Sequence, residues 1–179
     1  MLKLSITQDE VFNDETQQFV KKTLGCLELE HSLVSVSKWE AKYEKPFLSS
    51  SEKSGEELEW YIEAMILTRN YDRELLTKLT AKNYEEINNY LNSKQSATWF
   101  ADKNHKANNE VITTEIIYYW MIALSIPFEC QYWHLNRLLT LINVCNQKNA
   151  PAKKMSKAEL AQRNRELNAQ RRARMNTSG

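Results

Sequence analysis

Glycine and proline are scarce, with three of each in 179 residues. Extended loops built on these two residues are therefore not a major part of the architecture. Gly25, Gly55 and Gly179 stand too far apart to form a phosphate-binding loop or a dinucleotide fingerprint, so nucleotide chemistry of those kinds is excluded. Cysteine is equally sparse: Cys26, Cys130 and Cys145 are odd in number and widely spaced. That count argues against a disulfide framework and for buried thiols in a reducing interior such as cytoplasm. The histidines, His31, His105 and His134, include no His-x-x-x-His pair, and no Cys-x-x-Cys pair exists. A zinc site would need ligands gathered from afar, and the expectation is no metal and no cofactor. Long apolar runs are missing too. The best, Ile112–Ile126, is interrupted by Thr113, Thr114, Glu115 and Ser125, which speaks against a membrane span. The opening "MLKLSITQDE" carries two acids and no cleavage-site pattern, so it does not read as a secretory signal.

What is present is an ordinary globular composition with an uneven distribution of charge. Hydrophobic residues make up 42%, enough for one domain with a real core. Residues 148–179 hold nine basic side chains against Glu159 and Glu166, a net charge of +7, while the remainder of the chain is −6. Such polarity fits an intramolecular clamp, a charged partner, or both. Two parts are expected: a mainly helical domain over 1–147 with short N-terminal strands, and a basic, partly helical extension over 148–179.

The strands are expected from alternation: Leu2, Leu4 and Ile6 on one side with Lys3, Ser5 and Thr7 on the other, and again Leu27 and Leu29 against Glu28 and Glu30. Two or three antiparallel strands follow, with "FNDETQ" as a turn, and they must pack on helices. Ser35 or Ser37 is expected to cap a short helix that offers Trp39 and Tyr43 to the core, with Pro46 marking its limit. After a polar "SSSEKS" loop, Ser54 and Glu57 form a capping-box signal for a helix bearing Leu58, Ile62, Met65 and Ile66. Two short helices follow, with Asp72 and Asn83 as caps. "KQSATWFADKNHKANNE" reads as a loop, in which Trp99 either lies exposed or anchors the segment. A helix starting at Thr113 or Thr114 is apolar over most of its circumference and is expected to be central. After Pro127, Tyr132, Leu135, Leu139 and Ile142 form the stripe of a second helix. These two are expected to make an antiparallel hairpin, the spine of a compact, mainly α fold with a small antiparallel β element and a basic C-terminal helix. That last helix begins at a Ser156–Glu159 capping box, and its large apolar residues are only Leu160, Leu167 and Met175. So thin a face is marginal alone, or is completed by a partner.

Candidate chemistry is weak. Cys130 and His134 lie four apart and are conceivable as a nucleophile and base, but neither Glu115 nor Glu129 is placed as the orienting third group. Glu56, Glu57, Glu59 and Glu63 sit on the first turns of a helix, where acids favour the dipole. No catalytic residue is assigned. "RNRELNAQRRAR" at 163–174 has the charge to neutralise phosphates, yet the rest of the chain is acidic and the nearby aromatics lie in apolar helical sequence. Arginine is also favoured at protein interfaces. Protein docking is the leading reading, with nucleic acid second and closure of the tail on the acidic part as the structural alternative.

The segments "LELEHSLVSVSKWEAKYEKPFL", "EIIYYWMIALSIPFECQYWHLNRLLTLINVCNQKN" and "KKMSKAELAQRNRELNAQRRARMNTSG" resemble tail assembly chaperones of long-tailed, siphovirus-like bacteriophages. The likeness covers about residues 24–47 and 110–179, and its most specific pieces are Trp133–Leu139 and Lys153–Ser156. The resemblance implies a small helical, non-catalytic protein of the infected host's cytoplasm. Such a protein keeps the tape measure protein soluble, helps recruit tail-tube subunits, and is absent from the finished virion. On that reading Leu160, Leu167 and Met175 are apolar contacts to the client, with Arg163, Arg171 and Arg174 around them. Self-association is a further expectation, since five tryptophans and eight tyrosines exceed the needs of the core.

Overall fold

The computed structural model describes residues 1–13, 18–48, 52–100, 111–150 and 157–175, with side chains for all of these except 8–13 and 18–21. The expected turn at 14–17, parts of the loops at 49–51 and 101–110, and the cap at Ser156 lie outside the described residues. The protein is mainly α-helical, with a two-stranded antiparallel sheet at its start and a basic helix near its end.

Strands β1 (Leu2–Asn13) and β2 (Gln18–Leu29) pair from Leu2 opposite Leu29 to Asn13 opposite Gln18. They are longer than the short strands expected, but the alternation holds where side chains are described. Leu4, Ile6, Leu27 and Leu29 are fully buried, and Lys3, Ser5 and Cys26 face out. Cys26 is thus exposed rather than a core thiol, because it pairs with Ser5 on the outer face. Ile6 faces Gly25 while Thr7 faces Thr23, so Leu24 is an extra residue that bends β2. Gly25 lies on the inner face, where an added Cβ would stand 2.8 Å from Leu75 Cδ1. The missing side chain lets Leu75 approach the sheet. The third strand shrinks to a single bridge between Leu29 and Ile66, where Glu30 N–H donates to Met65 O at 2.9 Å and Leu67 N–H to Glu28 O at 2.8 Å.

Helix α1 (Leu33–Tyr43) starts earlier than expected. Ser32 is the cap and Ser35 its reciprocal partner, because Leu33 and Val36 are already core residues. It ends at Glu44 in the left-handed conformation (φ 52°), two residues before Pro46. Helix α2 (Gly55–Met65) has the expected Ser54–Glu57 box, but buries Glu57, Tyr61, Ile62 and Met65, leaving Leu58 outside. In α3 (Glu74–Thr77), Asp72 Oδ1 accepts the Glu74 N–H. Helix α4 (Ala81–Asn92) is capped by Thr80, and Asn83 is the reciprocal partner instead of the cap. Its Asn83 Nδ2 also donates to Ser5 O, which ties α4 to β1. Then come α5 (Thr114–Ala123), a 3-10 helix (Phe128–Tyr132), α6 (Leu135–Asn149) and α7 (Lys157–Met175).

Backbone contacts divide the chain into two compact units, residues 1–146 and 147–179. The core of the first gathers on α1. Trp39 lies within 5.0 Å of the Tyr43 ring and 5.2 Å of Phe47, and its Nε1–H donates to Glu57 O. Helix α1 meets α2, α5 and the 3-10 helix, so the hub is α1, not the expected α5–α6 hairpin. Helix α5 is also less central than its composition suggested. It buries Thr114, Ile117 and Met121, while Tyr119 and Ile122 remain 66% and 62% exposed. On α6 the buried stripe is Leu135, Leu138 and Ile142. Tyr132 falls in the 3-10 segment and is exposed, and Leu139 is half-buried.

Candidate protein-docking surfaces

Helix α7 places all six residues assigned to a protein-binding stripe. Leu160, Arg163, Leu167, Arg171 and Arg174 succeed one another by three or four positions, and Met175 follows Arg171 by four. They therefore share one face. The helix buries none of its side chains, and Leu160 and Leu167 are 45% and 40% exposed. Arg172 and Arg174 stand in the last turn of the helix, a placement its dipole favours. Arg165 and Arg172, seven apart, lie away from the leucine stripe, so α7 is basic on a second side as well.

A second surface arises where α5 meets the 3-10 helix. Tyr119 and Ile122 are exposed one turn apart, and Phe128 and Tyr132 are exposed beyond Pro127. Half-buried Tyr118 connects them: its ring lies 6.4 Å from Phe128, and its hydroxyl donates to Gln131 Oε1 at 2.9 Å. Burial beside Tyr132 pushes the Tyr118 phenol up. The start of α5 is held from elsewhere. Thr113 makes no side-chain cap; instead Glu40 Oε2 accepts the Thr114 N–H at 2.8 Å and its hydroxyl at 2.6 Å, while Oε1 accepts the Phe47 N–H. A carboxylate from α1 thus supplies the cap and complements the helix dipole.

A third surface is a groove between α2 and α4. It is lined by Leu58, Ile62, Tyr84, Ile87 and Leu91, with a volume of ≈ 550 Å³. It adjoins another groove, sharing Glu59, Ile62 and Tyr84, that continues past Trp60 to Leu76 and Leu79. Acids line both: Glu56, Glu59 and Glu63 from α2, and Glu85 from α4. Glu63 pairs with Arg73, whereas Glu56, Glu59 and Glu85 enter none of the ion pairs among the described residues. Glu57, the fourth acid of the expected cluster, faces elsewhere. Lys45 Nζ at 2.7 Å and the Ser54 N–H hold its carboxyl below the ordinary range.

The interior holds a polar cluster that the sequence did not signal. His31 Nδ1 shares a 2.5 Å hydrogen bond with the Tyr61 hydroxyl, and the His31 and His134 rings meet edge to face at 5.1 Å. Tyr90 donates to Glu30 Oε1 at 2.5 Å, and the Met1 amino group lies 2.8 Å from Glu30 Oε2. Burial, with His134 close by, pushes His31 down to about 3, and burial lowers His134 too. His134 Nε2–H donates to Tyr90 O and its Nδ1 accepts the Asn136 N–H, so both ring nitrogens are engaged. Cys130 is buried, and that burial pushes its thiol up. Neither member of the Cys130–His134 pair is thus prepared for proton transfer to the other. Glu115 and Glu129 are exposed on the first turns of their own helices. Among the described residues no three His, Cys, Asp or Glu side chains form a metal-binding group, and no helix is long and apolar enough to cross a membrane.

Trp99 is 80% exposed, with Lys94 Nζ 3.9 Å from its ring centre. The groove and the α5 surface were both missed from sequence. Leu58 shared the helical spacing of Ile62, Met65 and Ile66, and only contact between separate helices reveals that it lines a groove with Tyr84. Comparison with protein-family models, curated proteins and solved structures finds no match to this chain.

Proposed function

We propose that the chain is a non-catalytic protein-binding protein that acts as a tail assembly chaperone. It holds the tape measure protein soluble in the host cytoplasm and assists recruitment of tail-tube subunits. The observation that carries this reading is α7: nineteen helical residues with no buried side chain, and a Leu160–Leu167 stripe bordered by arginines. A helix of this kind is marginal in water and gains stability when a partner covers its apolar stripe. Tape measure proteins are long helices with apolar stripes of their own, so a modest apolar contact rimmed by arginine suits a client that must later be released. The exposed Tyr119–Ile122–Phe128 surface offers further apolar area of the type found at interface centres.

The test is co-expression with the tape measure protein of the same genome, using the full chain, a chain ending at Gln147, and the Leu160→Asp/Leu167→Asp double variant. The full chain should keep the client soluble and co-purify with it, and the other two should not. Equal recovery with all three would remove α7 from the proposal. Arg165 and Arg172, on the other side of α7, favour the second reading, a nucleic-acid contact. Its mark is duplex binding that weakens steeply with salt, and a titration flat in salt would eliminate it.

A further inference from the structure

The groove between α2 and α4 matches a ligand that the chain itself carries. We infer that it receives α7 of a second copy of this chain, so that the protein self-associates by exchanging basic helices. Leu58 and Tyr84 lie exposed over the groove, and Glu56, Glu59 and Glu85 stand around it in none of the ion pairs among the described residues. The first turn of α2 accommodates Glu56 through the helix dipole. Glu59 and Glu85 lie beyond the reach of that effect, in the middle of α2 and on the second turn of α4.

Helix α7 is the complement in polarity, with apolar and basic side chains on one face. Leu160 and Leu167 project from one face about 10 Å apart along the axis, and Arg171 and Arg174 continue the same face. The two adjoining grooves, each ≈ 550 Å³, offer one apolar basin at Leu58, Ile87 and Leu91 and another at Trp60, Leu76 and Leu79. One leucine enters each basin and the arginines meet the rim glutamates, an amphipathic helix lying in a groove. The charges of the two surfaces are opposite, so the pairing is steered electrostatically and is sensitive to salt. Two copies related by a twofold axis each give one helix and accept one, a closed arrangement. Because α7 is also the client-binding helix of the proposed function, self-association holds it in reserve. The inference does not depend on who the client is.

Sedimentation equilibrium of the purified full chain at low and at physiological salt measures the association directly. The expected result is a monomer–dimer equilibrium weakened by salt. Glu59→Lys/Glu85→Lys in the groove should weaken dimerisation about tenfold or more, and so should Arg171→Glu/Arg174→Glu on α7. All four positions are exposed, and circular dichroism checks that each variant keeps its helix content. The chain carrying both charge reversals should dimerise again, which a merely structural effect would not produce. A full chain that is monomeric at high micromolar concentration overturns the inference. So does a dimer indifferent to the groove reversals, or a monomeric chain whose groove instead captures a basic helix of the client.

Discussion

Residues 1–146 and 147–179 contain similar helices with opposite fates. In the first unit α1 buries Leu33, Ser35, Val36, Trp39 and Glu40 within eleven residues, and its polar members find partners. In the second, α7 runs for nineteen residues and buries nothing. The contrast does not come from helix propensity, since α7 is rich in Ala, Leu, Glu, Gln and Arg, the stronger helix formers. It comes from apolar width: three large apolar side chains spread over sixteen residues make too narrow a face to exclude water. The first unit closes a core over its apolar side chains, whereas α7 leaves its narrow stripe exposed.

Substitutions should separate the two units by size of effect. The largest loss is expected from Trp39→Ala, about 3–5 kcal/mol by urea unfolding, because the ring is buried among Tyr43 and Phe47 and loses its bond to Glu57 O as well. Next comes Glu40→Ala, expected to cost about 2–3 kcal/mol. It strands the Thr114 N–H and hydroxyl and the Phe47 N–H. A cost close to zero there would mean that water replaces the carboxylate and that α5 needs no cap from α1.

Acid acts on the first unit through its histidines. His31 is held near 3 in the fold against 6.5 when unfolded, and His134 is lowered in the same direction. The unfolded chain therefore binds more protons below pH 6.5. The stability these groups contribute is present above that pH and is lost as pH falls toward 3. The slope reaches up to about 1.4 kcal/mol per pH unit for each histidine. Glu30, Tyr61, Tyr90 and the Met1 amino group surround the pair and shape its titration. Urea midpoints measured from pH 7 to 5 should fall, and a His31→Gln chain should show a shallower slope.

Smaller still is Gly25→Ala, expected to cost about 1 kcal/mol in urea unfolding as Leu75 moves aside. Leu160→Asp/Leu167→Asp should leave unfolding of the chain within about 0.5 kcal/mol of the parent, since both sites are exposed. A large drop in thermal stability from that pair would erase the contrast between the units and make the tail a structural element.

Much of the fold was legible from the order of residues alone. Alternation located the inner faces of both strands, and Ser54 with Glu57 located the start of α2, because period and capping are local chemistry. The six stripe residues of α7 needed only helical spacing to be placed on one face. Cap positions were less certain where several candidates lay close together. Ser35 or Ser37 was expected where Ser32 caps α1, which brings Leu33 and Val36 into the core, and Asn83 was expected where Thr80 caps α4 with Asn83 as its reciprocal partner.

Other features required distant segments to meet. Glu40 caps α5 across 74 positions, and His31 finds Tyr61 and His134 from separate elements. No local pattern encodes such meetings. Helix α5 makes the same point about burial: its apolar circumference predicted a central helix, yet it buries only Thr114, Ile117 and Met121 and leaves Tyr119 and Ile122 exposed. Composition says how much surface seeks cover, while packing decides which part receives it. The helical class, the paired strands and the charge separation between the two units follow from neighbours along the chain, and so could be read from residue order. That α1 is the hub, that acids rim an apolar groove, and which aromatic side chains stay outside follow from neighbours in space, which no stretch of residue order encodes.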